Sequence, residues 1–306
     1  MPPADQDTQV RLDAFRFLDE QAAIHGEVIP KAILDRGFDF QGTRVPLMAP
    51  QGIFKPRILE LPLSFTTVPP SLRKARPYDD ELGEDGVIQY RYRGEDPNHR
   101  DNVGLRRAME LRVPLVYLFG MVPGQYLPVY PVLIVGDNPE ALTFSVEVED
   151  RRLLNLEGDA FPPASTTEVR AYVTVETQQR LHQRGFRERV LKAYRERCAV
   201  CRLGHKELLY GAHILPDKHP LGDPVIPNGL SLCGLHHDAF DRNIMGISPD
   251  YEIEIREDIL EETDGPVLLH GLQEIQGQSL HTPRPEDFKP DKERLGIRYQ
   301  EFRDAG

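Results

Sequence analysis

Between residues 228 and 241 the chain reads NGLSLCGLHHDAFD, placing one Cys, two adjacent His, one Asn and two Asp within a single helical-length segment. Adjacent residues on a helix point about 100° apart, so His236 and His237 cannot easily serve one site. His236 has a natural partner in Cys233, three residues before it, and the chain holds a second pair of the same kind, Cys198 and Cys201. Two such pairs form a four-donor set suited to a tetrahedral Zn²⁺ in a structural role, because no coordination position is left open. The three cysteines are these same residues, an odd count that does not fit a secreted disulfide framework. His237 faces elsewhere, with Asp241 four residues on. An imidazole and a carboxylate at that spacing make a half-site for a divalent ion with open positions. Asn228 and, further upstream, His213 in GAHILP complete the candidate chemistry. Two metals, one on each face of one helix, are therefore expected.

These residues need elements to hold them. From about Glu176 the pattern is helical, and Phe186, Val190 and Tyr194 recur at four-residue spacing ahead of the first Cys. Before that the texture is strand-like. VPLMAPQGIFKP, ILELPLSFTTVPP and GVIQYRYRG read as short strands with turns, and VPLVYLFG, YLPVYPVLIVG and LTFSVEVED as further strands, with strand content ending near Val175. Helices are expected over 9–25 and 102–112. The last fifty residues read as a short helix with extended segments wrapped over a domain. The 306 residues suit two domains, 1–172 and 173–306, the second with its core at 185–250.

Net charge is −12, which on its face disfavours a nucleic-acid partner. The distribution reverses that. Residues 170–202 hold nine basic and three acidic side chains, whereas 249–306 hold seven basic and fifteen acidic ones. A basic segment can face phosphates while an acidic tail sets the total, although a basic helix can equally be a solvated surface. No apolar run is long enough to span a bilayer. The start MPPADQDTQV lacks a basic stretch followed by an apolar one, so a cytoplasmic location is expected.

His213, Asn228 and His237 in these contexts resemble the His-Asn-His set of HNH endonucleases, and the flanking CxxC and CxxH resemble the zinc-stapled subgroup. The resemblance covers roughly 185–250 and implies a ββα-metal fold. It implies that His213 is the general base for the attacking water and that Asn228 bonds to the backbone at His213 to hold its ring. It also implies that His237 and Asp241 bind a catalytic Mg²⁺ or Mn²⁺. Many family members carry an Asp or His just before the base; here Ala212 stands there.

The stretch RPYDDELGEDGVIQYRYRGEDPNHRDNVGLRRAMELRVPLVYLFG is similar to the SRA domain, a PUA-like β-barrel that flips a modified cytosine out of DNA. The parallels are Tyr78, Asp79-Asp80, Gly86, Tyr92-Arg93-Gly94 and the helix-and-strand unit from Asp101 onward, with a longer spacing from the acidic pair to the strand. The resemblance implies a base pocket formed by Tyr78, Asp80, Tyr90 and Tyr92. Aromatic faces would stack the base, and a carboxylate would accept from its N4 amine. On a strand, Tyr90 and Tyr92 can equally be barrel core. Arg91, Arg93, Arg106 and Arg107, with Arg184 and Arg187 in the second domain, are candidate backbone contacts.

Together the two halves resemble SRA–HNH (type IV, TagI-like) modification-dependent restriction endonucleases. The expectation is an α+β protein that binds double-stranded DNA carrying 5-methylcytosine or 5-hydroxymethylcytosine and cuts it. A duplex break implies a homodimer or two successive binding events. Two other readings stay open: a reader with a degenerate nuclease domain, for which Ala212 speaks, and an HNH nuclease whose PUA-like domain binds unmodified DNA or RNA.

Overall fold

The structure, a computed structural model, describes residues 4–69, 87–151, 165–263 and 265–305. It divides into two compact units, Met1–Leu181 and His182–Gly306.

The first unit opens with α1 (Ala4–His25), whose Val10, Ala14, Phe15 and Leu18 are buried at helical spacing. Strand β1 (Ile29–Pro30), helix α2 (Lys31–Arg36) and the hairpin β2 (Phe38–Phe40) with β3 (Thr43–Val45) follow. Next come β4 (Ile53–Phe54), β5 (Ser64–Thr66), β6 (Ile88–Arg91), α3 (Arg100–Glu110), β7 (Leu115–Val122), β8 (Gln125–Asn138) and β9 (Thr143–Val148). The main sheet runs β4-β5-β7-β8-β9-β6, with β1 pairing β8 off this path and only β5 and β7 parallel. Among the described residues no pairing joins β4 to β6.

Strand β7 is buried throughout, which requires cover on both faces. Leu115, Tyr117, Phe119 and Met121 face one cluster with Leu105 and Phe144; Val116 and Leu118 face another with Phe15 and Leu34. Arg11 is fully buried in α1, donating to the carbonyls of Pro62 (2.9 Å) and Pro114 (3.1 Å) and pairing with Asp7. Paired and hydrogen-bonded in this way, a buried charge is tolerable.

Strand content does not extend to Val175. That residue lies in α4 (Thr167–Ala193), and its β-branched neighbours had suggested a strand. The helix wins because Thr174, Thr177, Gln178 and Leu181 are all buried, the i, i+3, i+4, i+7 spacing of one helical face. Thr174 closes the contact, its hydroxyl accepting from Val148 N at 2.8 Å and donating to Arg170 O at 2.7 Å.

In the second unit β10 (Leu209–His213) pairs antiparallel with β11 (Gly229–Cys233), and α5 (Gly234–Asp241) follows directly. A small hairpin, β12 (Met245–Ile247) and β13 (Ile253–Ile255), packs beside it. Helices α6 (Glu257–Glu261), α7 (Pro266–Gly271) and α8 (Lys292–Ala305) complete the chain. The acidic C-terminal segment does more than wrap: α8 buries Leu295, Arg298 and Phe302. Arg298 lies over the Phe240 ring at 4.8 Å and donates to Phe240 O, which ties α8 to the end of α5.

Candidate nuclease and metal site

Cys198 and Cys201 sit on a tight turn after α4. Cys198 N donates to Leu203 O (2.9 Å), Arg202 N to Cys198 O (3.1 Å) and Ala199 N to Ser231 O (2.6 Å), which brings the turn against β11. Cys233 ends β11 and His236 lies in the first turn of α5. The donor atoms of Cys198, Cys201, Cys233 and His236 all lie within 4.8 Å of one another.

The spacing tests whether zinc fits. Bond lengths of about 2.3 Å to sulfur and about 2.0 Å to nitrogen put tetrahedral S···S edges at about 3.8 Å and S···N edges at about 3.5 Å. The Cys201–Cys233 sulfurs are 3.9 Å apart and Cys198 Sγ is 3.5 Å from His236 Nδ1, while Cys233 Sγ is closer to it at 3.1 Å. His236 Nε2 lies 2.9 Å from Gly271 O, so that nitrogen carries the proton and Nδ1 is left to bind. Contacts with Cys201 and Cys233 pull the Cys198 thiol well down, and contact with Cys198 pushes Cys201 and Cys233 up. Burial works against a charged His236, but its sulfur neighbours outweigh it and push the imidazole up to about 10. The donor set and its spacing fit a structural Zn²⁺.

Helix α5 separates the two histidines as its period requires. His236 is 1% exposed, whereas the His237 side chain is 27% exposed with Nε2 3.3 Å from Asp241 Oδ2. The Tyr210 ring stacks on His237 with centroids 5.1 Å apart. Across the hairpin, His213 ends β10 opposite Gly229, and the Phe186 ring lies parallel to it. His213 Nε2 is screened from solvent, 3.1 Å from Asp217 Oδ1 but out of line for a hydrogen bond. Burial holds the imidazole below its ordinary range, and the Asp217 and Asp241 carboxylates partly oppose that. The Asp241 carboxylate pairs with His237 and also acts on His213, and none of the three belongs to the Cys/His cluster.

Asn228 is fully buried, but its bonds are not those expected. Its Oδ1 accepts from Leu215 N (3.0 Å) and its Nδ2 donates to Leu215 O (2.9 Å) and Asp223 O (3.1 Å). It fixes the loop beyond His213, the loop that carries Asp217, rather than the backbone at His213 itself. The side chain of Ala212 is buried and offers no donor atom. Among the described residues, no third His, Cys, Asp or Glu joins His237 and Asp241 within ligand spacing.

In the first unit, Tyr78 and Asp80 lie outside the described residues. Tyr90 and Tyr92 are buried in the sheet core. Tyr90 packs on Phe65 (4.7 Å) and donates to Thr66 O (3.3 Å). Tyr92 stacks near Phe144 (4.6 Å), donates to Asp137 and accepts from Arg106 Nη2 (3.2 Å). Several arginines expected at phosphates are engaged inside the protein instead. Arg106 pairs with Asp137 (2.5 Å), Arg93 with Asp101, and Arg187 donates to Leu209 O (2.8 Å) and Lys206 O (2.9 Å). Arg107 is exposed and Arg184 half-buried. Sequence reasoning missed Phe186, Tyr210 and Asp217. Of these only Asp217 left a signal, its i+4 spacing from His213.

Residues 198–248 match the family model described as HNH endonuclease, so the chain carries an HNH endonuclease domain. Among solved structures the chain is similar to a modification-dependent TagI restriction endonuclease, at 17% identity and TM-score 0.27, over 79% of this chain and 81% of that one. It is also similar to the type IV phosphorothioation-dependent restriction endonuclease ScoMcrA, at 16% identity and TM-score 0.21, over 57% of this chain and 52% of that one. Both TM-scores are too low to carry the fold. No curated protein matches the sequence. No helix among the described residues is long and apolar enough to cross a membrane.

Proposed function

We propose that this chain is a divalent-metal-dependent DNA endonuclease that restricts DNA carrying 5-methylcytosine or 5-hydroxymethylcytosine. The observation that carries the nuclease half is the convergence of His213 with the His237–Asp241 pair, 3.3 Å apart, beside a separate zinc-type cluster. A Mg²⁺ or Mn²⁺ held by His237 and Asp241 would neutralise the scissile phosphate and the departing 3′ oxygen. His213, kept neutral by burial, takes the proton of the attacking water on the solvent-facing edge of its ring, since Nε2 is screened from solvent. Asp217, 3.1 Å from that nitrogen, then stabilises the imidazolium.

The modified-base half rests on the resemblance of residues 76–120 to SRA domains, with Tyr78 and Asp80 as pocket residues and Arg91 and Arg107 at the backbone. Tyr90 and Tyr92, the other two residues of that pocket, have their rings packed in the sheet core. Two copies acting together would cut both strands. The alternative of a DNA reader without cleavage draws on Ala212.

The test is cleavage of one plasmid, unmodified and CpG-methylated, with Mg²⁺ or Mn²⁺ and with His213→Ala as control. Cutting of the methylated form alone, lost in the variant, is the expected result. Equal cutting of both forms would remove the modified-base assignment. Binding to methylated DNA without cutting would make the protein a reader.

A further inference from the structure

Among the described residues no hydrogen bond orients the His213 ring. Ala212 beside it has no polar side chain, Asn228 spends its amide on Leu215 and Asp223, and Asp217 lies out of line. General bases of this kind are ordinarily held by a bond to the second ring nitrogen. What His213 does have is a flat wall. The Phe186 ring lies 3.9 Å from the imidazole, centroid to centroid, and within 12° of parallel. Phe186 is itself 1% exposed and lies on α4, outside the 198–248 match.

This approach is built into the hairpin. Gly211 and Gly229 leave its face bare, and α4 lies directly on it. A Cβ on Gly211 would stand 2.8 Å from Arg187 Cα, and one on Gly229 would stand 2.9 Å from Phe186 Cζ and 2.4 Å from Val190 Cγ2. Gly229 is the residue paired with His213 across the hairpin. The floor beside the base is thus emptied of side chain at the one position where Phe186 must enter. Arg187 locks the helix at this point through its bonds to Leu209 O and Lys206 O.

We propose that Phe186 is the positioning residue of His213, holding the plane of the imidazole by face-to-face contact where other sites use a hydrogen bond. The assignment rests on the reading of His213 as the general base. With Phe186 in place the ring cannot rotate about its outer side-chain torsion without driving an edge into the phenyl face. With a smaller, flexible side chain the imidazole is free to turn, and its reactive nitrogen leaves the attack geometry.

The test uses the full chain with Phe186→Leu and Phe186→Met, both apolar but without a flat face. Plasmid cleavage gives kcat and KM, metal analysis gives zinc content, and NMR of ¹³C-histidine protein reads the ring protons of His213, assigned through His213→Ala. The expected result is kcat lower by roughly ten-fold or more with KM nearly unchanged and zinc retained, since small misplacements at a reacting centre carry losses of that order. The His213 ring signals, shielded by the phenyl face, should move downfield in both variants. Gly229→Ala, which pushes Phe186 away without altering it, should reproduce both changes. An active wild type whose variants keep full kcat, or His213 signals that do not move, overturns the Phe186 assignment alone. An inert wild type overturns the nuclease reading, and the base role falls with it.

Discussion

Replacing Asn228 with Ala removes three hydrogen bonds at a fully buried position: from Leu215 N, to Leu215 O and to Asp223 O. Each is worth about 1 kcal/mol net, and the stranded Leu215 amide and carbonyl, which lie in a buried residue, add desolvation on top. A loss of about 3 kcal/mol in local stability follows, roughly a hundred-fold in the opening equilibrium of the 214–223 loop. Hydrogen exchange at the Leu215 amide reads this directly and avoids treating two units as one unfolding transition. Cleavage should fall as well, because the loop carries Asp217. Asn228→Asp sharpens the test. It keeps the acceptor for Leu215 N but turns two donors into a carboxylate oxygen facing two carbonyls, so it should be worse than Ala. Leu215 exchange altered by less than about three-fold in Asn228→Ala, or an Asp variant as stable as wild type, would refute the reasoning.

Other outcomes follow from the same geometry. Cys198→Ser, or a strong chelator, should release one zinc per chain and unfold the second unit, because metal binding is folding energy in such clusters; a chelated protein with unchanged exchange in β10 and β11 would speak against a structural ion. For pH, burial places the His213 pKa below its ordinary value of 6.5, so the acid limb of kcat/KM should lie below pH 6.5, and a bound cation pushes it the same way. The linked stability has a definite sign. The unfolded chain protonates first, so stability is unaffected above pH 6.5 and falls as pH drops from there toward the folded pKa, an effect that His213→Gln should abolish in acid unfolding curves. Tyr92→Phe removes the hydroxyl that bridges Asp137 and Arg106 and should cost about 1 kcal/mol, seen as a lower Tm, while leaving the Arg106–Asp137 pair intact.

The four-donor cluster and the His237–Asp241 pair were legible because each is local. A CxxC turn, a CxxH at a strand-to-helix junction and a His-Asp pair at i, i+4 are spacings within one element, and the 100° step of a helix alone separates His236 from His237. Periodicity likewise placed α1, α3 and the hydrophobic strand β7. The remainder depended on which segments meet. The β-branched residues around Val175 favoured a strand until the buried face from Thr174 to Leu181 made them helix. Arg106 and Arg187 read as free cations in the sequence, yet their partners, Asp137 and the Leu209 carbonyl, lie tens of residues away. The same holds at the site. Asn228 could be recognised as important, but only the folded loop shows that it holds Leu215 rather than His213. Phe186 looked like one more apolar helix position, because a stacking contact depends on distance and angle between two distant segments, and on the missing Cβ of Gly229 that admits it. Residue type and short-range spacing carry donor chemistry; the orientation of those donors belongs to packing, which only the tertiary structure decides.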